Sequence, residues 1–303
     1  MDPTGEEEAL APTVTSAELR AVEAANRSGR PVVVLVHGMF LHASSWREWQ
    51  TLFEGAGYAT VAPGWPGEAD SVAATRAAGG STRRQDLRAV LAHHRDLIGR
   101  LDRPPALVGH CAGGWVVQRL ASEGLASVTV AMEPTPFRGV LPISMSTVRS
   151  ALPVVARPRH YRRPTSLTFE QFRYSWGNSV DVDEARDLYD RHHVPAPGAP
   201  LFQAAVANLS PWSTTRIDTR AADRGPLLFI AGAEDRQATW PMTHAAYRRH
   251  RRNPHPTEIV EMPHRGHTMP VDHGWSEAAL LALSFIERHI PSPPVPAARP
   301  ENS

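Results

Sequence analysis

The 303-residue chain contains no lysine, so all 32 of its basic residues are arginine. Chemistry that begins with an imine on a lysine amine is thereby excluded. Cysteine occurs once, at Cys111. No disulfide can form within the chain, and no cluster of thiolates can hold a metal. A formal net charge of +1 gives neither nucleic acid nor an acidic surface a reason to bind. No apolar run approaches the length of a membrane span, and the acidic opening MDPTGEEEAL lacks the apolar stretch of a secretion signal. The expectation is a cytoplasmic protein with no nucleic-acid and no membrane partner.

What is present organises around ALVGHCAGGW, residues 106–115. A short apolar run ends at Gly109. Cys111 follows among small residues, and an apolar helical pattern covers 115–120. The order strand, sharp turn, helix sets one reactive side chain at the tip of the turn, as G-x-C-x-G where a nucleophile elbow usually reads G-x-S-x-G. The flanking glycines imply that only hydrogen fits two positions either side of the nucleophile.

Continuous apolar runs that read as buried parallel strands are PVVVLV from Pro31, YATVAP from Tyr58, the run into Gly109, 127–132, LLFIAG from Leu227, and 258–262. Helical patterns alternate with them over 17–26, 46–54, 82–101, 115–120, 243–251 and 276–290. The alternation predicts a doubly wound, mostly parallel sheet. Residues 134–225 interrupt it. They are rich in proline and arginine, carry short helical patterns over 169–176, 182–192 and 201–209, and show no strand-like run. The expected organisation is a disordered N-terminus (1–15), a core built from 16–133 and 226–290, a helical cap inserted at 134–225, and a disordered tail (291–303). With 42% hydrophobic residues the chain is long enough for one large core.

In open α/β sheets the ligand lies beyond the carboxyl ends of the strands. The residues there are His37 to Phe40, the loop around Trp65, Cys111, Glu133, Asp235 and the stretch from His264 to His267. A nucleophile, an acid and a histidine occur in the order Cys111, Asp235, His267. This order, with HG after the first strong strand, the elbow, AGAEDR and the GH after the last strand, resembles the α/β-hydrolase superfamily over roughly residues 30–290. The resemblance implies an α/β-hydrolase-like sheet with an inserted cap. It also implies oxyanion donors at the backbone amides of Met39 and Ala112, with Phe40 as a further candidate.

Chemically, Cys111 attacks an acyl carbon as thiolate, His267 serves as base and then acid, and Asp235 fixes the imidazole tautomer. Three alternatives stand beside these assignments. His264 competes with His267, though the resemblance favours the histidine after Gly266. Glu133 competes with Asp235, because some members of the superfamily take their acid from that strand end. Cys111 itself has the plain reading of a small buried hydrophobe. Phe40, Trp65, His110, Glu133 and Phe137 are candidate pocket residues, and no metal ligand set is evident. Most relatives carry serine at the elbow, and the resemblance to cysteine-bearing dienelactone hydrolases is confined to the elbow. Because thiolate exchange with thioesters is nearly thermoneutral, cysteine favours acyl transfer or ring closure over simple ester hydrolysis. The expected function is a cofactor-independent acyl hydrolase or acyltransferase acting on a small-molecule acyl substrate, including a carrier-bound thioester. The other readings are a non-hydrolytic or ligand-binding protein on the same scaffold, a redox-responsive thiol, and a Ser→Cys variant of a serine esterase.

Overall fold

A computed structural model of the protein describes residues 14–80, 85–210 and 212–291. The ends expected to be disordered, 1–15 and 291–303, lie almost wholly outside the described residues.

Local sequence accounts for the first half of the chain. Helix α1 (Ser16–Ser28) starts at Thr15, whose hydroxyl accepts from the Glu18 amide while the Glu18 carboxylate accepts from the Thr15 amide. The β-branched run forms β1 (Val32–Val36). A single 3-10 turn, Ala43–Trp46, leads into α2 (Arg47–Gly55), followed by β2 (Ala59–Val61) and a short helix α3 (Val72–Ala77). The amphipathic stretch at 82–101 narrows to α4 (Leu87–Ile98), because the Asp86 side chain accepts from the amides of Arg88 and Ala89 and fixes the start there. Strand β3 (Ala106–His110), helix α5 (Ala112–Ala121) and β4 (Val128–Met132) follow.

Between β4 and the next long strand lie α6 (Met145–Val155), β5 (Pro164–Thr165), α7 (Phe169–Ser175), α8 (Val182–His192), β6 (Ala196–Pro197) and α9 (Ala199–Ala205). Three features here depart from expectation. The antiparallel pair β5–β6 spans two residues per strand and includes two prolines, so no alternation announces it. Helix α6 carries Pro153 inside it and apolar residues on more than one face, which hides its period. The helix expected at 201–209 is divided between α9 and a 3-10 turn, Ala207–Leu209. Strand β7 (Leu227–Gly232), α10 (Trp240–His250), β8 (Thr257–Met262) and α11 (Trp275–His289) complete the chain.

The main sheet has the order β2-β1-β3-β4-β7-β8, and every neighbouring pair is parallel. Successive residues alternate between its two faces. Val34, Val36, Leu107 and Phe229 join one core with α4 and α5, whereas Val33, Leu35, Val108 and Ile230 join the other with α2 and α11. The chain adds strands outward from β1 to β2 and then crosses to β3 on the other side. This switch opens a crevice beyond the carboxyl ends of β1 and β3, the usual ligand position in such sheets.

The glycines around Cys111 are required by close approach. A Cβ at Gly109 would lie 2.3 Å from the Gly113 carbonyl oxygen, and one at Gly113 would lie 2.1 Å from the Val36 carbonyl oxygen. Both neighbours are backbone and cannot step aside, whereas a Cβ at Gly55 meets nothing within 4 Å. Gly113→Ala is therefore expected to cost about 3 kcal/mol or more in urea unfolding, and Gly55→Ala to be neutral or stabilising by about 0.5 kcal/mol. Equal effects of the two changes would contradict the close approach of β1, β3 and α5.

Candidate active site

Five strand ends converge. Cys111 sits between β3 and α5 with φ 55° and ψ −120°, in the positive-φ half of backbone space that non-glycine residues rarely occupy. Its amide donates to the Met132 carbonyl (3.0 Å), and its carbonyl accepts from Trp115 (3.2 Å) and Thr135 (2.9 Å). These bonds hold the strained turn. Phe40 after β1 (φ 65°) and Glu133 after β4 (φ 45°) also have positive φ, so three of the four such non-glycine residues among the described ones lie at this crevice.

His267, in the loop after β8, is buried. Its Nδ1 is 2.7 Å from Asp235 Oδ2, in the loop after β7. The other Asp235 oxygen accepts from the amides of Gln237 (2.6 Å) and Ala238 (3.1 Å), which fixes the carboxyl plane toward the ring. Burial opposes charging His267, but Asp235 and then the nearby Cys111 hold its proton affinity well above the ordinary histidine range. His264, three residues earlier, points away: its side chain is 92% exposed, 3.5 Å from Glu234.

Glu133 lies behind this pair. Its Oε2 is 3.2 Å from His110 Nε2 and 3.7 Å from His267 Nδ1, while Oε1 is buried without a hydrogen-bond partner. Burial, then the neighbouring Asp235 carboxylate, pushes its carboxyl well above the usual range. Burial and the adjacent His267 press His110 well below the usual imidazole value. Both shifts disfavour the charged forms of this hydrogen-bonded pair. Ligand atoms of His110, Glu133 and His267 lie within 4.8 Å of one another. A cation there would have to break both the His110–Glu133 and the His267–Asp235 contacts, so the donor set fits a hydrogen-bonded cluster better than a metal site.

Cys111 opens onto a cavity of about 240 Å³ together with Met39, Phe40, Ala112, Glu133 and His267. Ala112 is the first residue of α5, so its N–H has no acceptor within the helix. The remaining walls are mostly apolar, with Ile143, Val148, Ala151 and Val155 from α6 and its approach, and Leu201 and Ala204 from α9. No arginine lines the cavity among the described residues.

Of the pocket residues read from the sequence, Phe40 and Glu133 face the cavity, and three others do not. Trp65 donates to the His37 carbonyl (3.1 Å) and lines a separate, smaller cleft. His110 is wholly buried beneath the floor, its ring 4.7 Å from that of His267. Phe137 packs edge-on against His250 in the core. The strand-end position was right for each, but side-chain direction past a strand end is set by the turn, which composition does not report. His37 anchors the loop after β1 through Glu68, 3.2 Å away.

Sequence reasoning missed two residues. Trp176, just past α7, packs edge-on against His267 with ring centroids 4.5 Å apart and seals it from water. Thr135 places its Oγ1 3.8 Å from Cys111 Sγ. Thr135 lies two residues past Glu133 and was within reach of the strand-end rule. Nothing in the local pattern marks Trp176.

The sequence model of the alpha/beta hydrolase family matches residues 33–280. No curated protein matches the chain by sequence. Among solved structures, a monoacylglycerol lipase from Paleococcus ferrophilus is similar at 20% identity, covering 86% of this chain and 93% of its own, with a TM-score of 0.57. A pyrethroid hydrolase from Sphingobium faniae JZ-2 is similar at 18% identity over 85% and 97%, with a TM-score of 0.59. Polyneuridine aldehyde esterase is similar at 14% identity over 84% and 99%, with a TM-score of 0.57. At these identities the structures speak to the fold, whereas the family model spans most of the chain: the protein belongs to the alpha/beta hydrolase family.

Proposed function

We propose that the protein is a cofactor-independent acyl hydrolase or acyltransferase that works through an acyl-Cys111 intermediate. The observation that carries the reading is the alignment of Cys111, held at positive φ on the cavity floor, with a His267 whose far nitrogen is fixed by Asp235 at 2.7 Å. The Cys111 thiolate adds to the acyl carbonyl carbon, and the carbonyl electron pair moves to oxygen. The amides of Met39 and Ala112 stabilise that oxyanion, each worth on the order of 3 kcal/mol by comparison with other such donors. Collapse breaks the bond to the leaving group, which takes the proton held on His267. The neutral His267 then accepts a proton from water, or from an acceptor nucleophile, as it attacks the thioester carbon and releases Cys111.

A thiolate and a thioester leaving group are close in energy, so the reading favours thioesters, free or carrier-bound, over oxygen esters. The mostly apolar walls favour an uncharged acyl chain. A thiol nucleophile stays reduced in the cytoplasm, which is where we place the protein.

Asp235, 1.0 Å nearer His267 than Glu133, is the acid in this scheme (2.7 against 3.7 Å). Asp235→Asn is expected to lower kcat about 10³- to 10⁴-fold. Glu133→Gln, which keeps the shape of a carboxyl whose charged form burial disfavours, is expected to stay within about tenfold of the parent enzyme. Steady-state kinetics on a soluble short-chain thioester compares them, and the reverse order would make Glu133 the acid. The raised proton affinity of His267 also sets a pH dependence. The imidazolium that supplies the leaving-group proton persists above the ordinary histidine range and is lost only as pH rises through the raised value. The alkaline limb of kcat/KM is expected above that range, and to move to lower pH in Asp235→Asn. A limb that stays in place would contradict the coupling. Cys111→Ser is expected to lower thioester turnover and raise ester hydrolysis in a paired substrate panel, and loss of both to background would contradict an adaptation to acyl transfer.

A further inference from the structure

Helix α6 has two apolar faces. Thr147, Ala151 and Val155 turn toward the cavity, and the Thr147 hydroxyl donates to the Gln237 carbonyl (2.8 Å), tying the helix down over the site. Met145, Val148 and Leu152, at spacings of three and four, form a stripe that faces solvent. Leu141 just before the helix is 72% exposed, Met145 82% and Leu152 52%. Leu209 and Trp212, at 82% and 86% exposure, extend the exposed apolar surface from the stretch after α9, which packs against α6. Large apolar side chains left in water in such a group mark an interaction surface. Ile143 and Val148 belong both to this surface and to the cavity wall, so the patch runs directly into the mouth.

The segment that carries α6 is also cationic. Between Glu133 and Glu170 the chain has six arginines, at 138, 149, 157, 159, 162 and 163, and no aspartate or glutamate. The stretch 194–215, which supplies α9 and Trp212, has no charged residue of either sign. Five of the six arginines are exposed, and Arg138 is half-buried. Because the whole chain carries only +1, the balancing negative charge lies outside this segment.

We propose that this face docks the mouth of the cavity onto an anionic lipid surface, from which an acyl chain passes between α6 and α9 toward Cys111. Apolar side chains enter the headgroup boundary while flanking arginines pair with anionic headgroups, the pattern of surface-lying amphipathic elements. No described helix is long and apolar enough to cross a membrane, and docking requires none. This departs from the expectation of no membrane partner, which rested on the absence of a span and on whole-chain charge. A second copy of the chain is a poorer occupant, because a symmetric contact across α6 would set the arginines of 138–163 against the same arginines. An acidic protein would answer the arginines and leave the apolar stripe uncovered. The proposal rests on the acyl-transfer reading only for what the cavity receives.

Sedimentation of the full-length protein with unilamellar vesicles tests it, using phosphatidylcholine alone and phosphatidylcholine mixed with phosphatidylglycerol. Binding to the mixed vesicles is expected to be at least about tenfold stronger and to weaken as salt rises. Leu141→Ser/Met145→Ser/Leu152→Ser is expected to lose at least about tenfold in binding, yet cleave a soluble short-chain thioester at the parent rate. Arg157→Gln and Arg159→Gln, at exposed positions, are expected to weaken binding about fivefold each. The proposal is overturned by absence of binding to either vesicle, by equal binding to both without salt dependence, or by unchanged binding in all these variants. It is also overturned if light scattering finds a dimer that the serine variant dissolves while vesicles bind neither form, or if an acidic protein competes and vesicles do not. Vesicle binding without an acyl adduct on Cys111 would remove the chemical reading and leave the docking surface standing.

Discussion

The site depends on one close contact, the approach of α5 to the end of β1 at Gly113. The Val36 carbonyl sits where a Gly113 side chain would begin, and the Gly113 carbonyl sits where a Gly109 side chain would begin. Three backbone segments are therefore nearly in van der Waals contact around a single residue, and that residue, Cys111, takes up the geometry by adopting φ 55°. Gly38 completes the arrangement, since a Cβ there would lie 2.6 Å from the Cys111 Cβ. Backbone strain of this kind costs of order 1–3 kcal/mol and persists only where surrounding structure over-determines it. Here the surroundings are fully buried parallel strands with cores on both faces.

The crevice beneath the cavity holds more titratable groups than acyl transfer needs. Two carboxyls and two imidazoles are buried within a few ångströms of each other, and they divide into unlike pairs. Asp235 and His267 share a short hydrogen bond supported by two backbone amides, and the imidazole is held toward its charged form. Glu133 and His110 are bonded to each other, and burial drives both toward neutrality. Environment thus separates roles that residue type alone leaves equivalent. Asp235, at 2.7 Å against 3.7 Å for Glu133, is the carboxyl bonded to the ring. Trp176 and the ring of His110 pack against it and against each other.

Much of this was legible in the chain itself. Unbroken runs such as VVVLV and LLFIAG identify strands buried on both faces, and their alternation with helical periods gives the parallel sheet. The strand-end rule then collects Cys111, Glu133, Asp235 and His267 from four distant places. It stops at direction: Trp65, His110 and Phe137 obey it and still face away from the cavity. Residues 134–225 were the least legible. In α6 the two apolar stripes overlap around Val148, Pro153 interrupts the pattern, and the helix is apolar toward both the cavity and water. A sequence window reads such a helix as weakly patterned. Only the fold shows which stripe is inside, and the exposed one changes the expected relation of the protein to lipid.

The central claim is that Cys111 forms a covalent acyl intermediate, and intact-protein mass spectrometry under rapid quench tests it most directly. Mixed with an activated medium-chain thioester, the folded enzyme is expected to gain the mass of one acyl group, mapped by peptide analysis to Cys111 and accumulating further in Asp235→Asn if deacylation slows more than acylation. No added mass on folded protein that consumes the thioester, or an acyl group mapped to any other residue, would contradict the account.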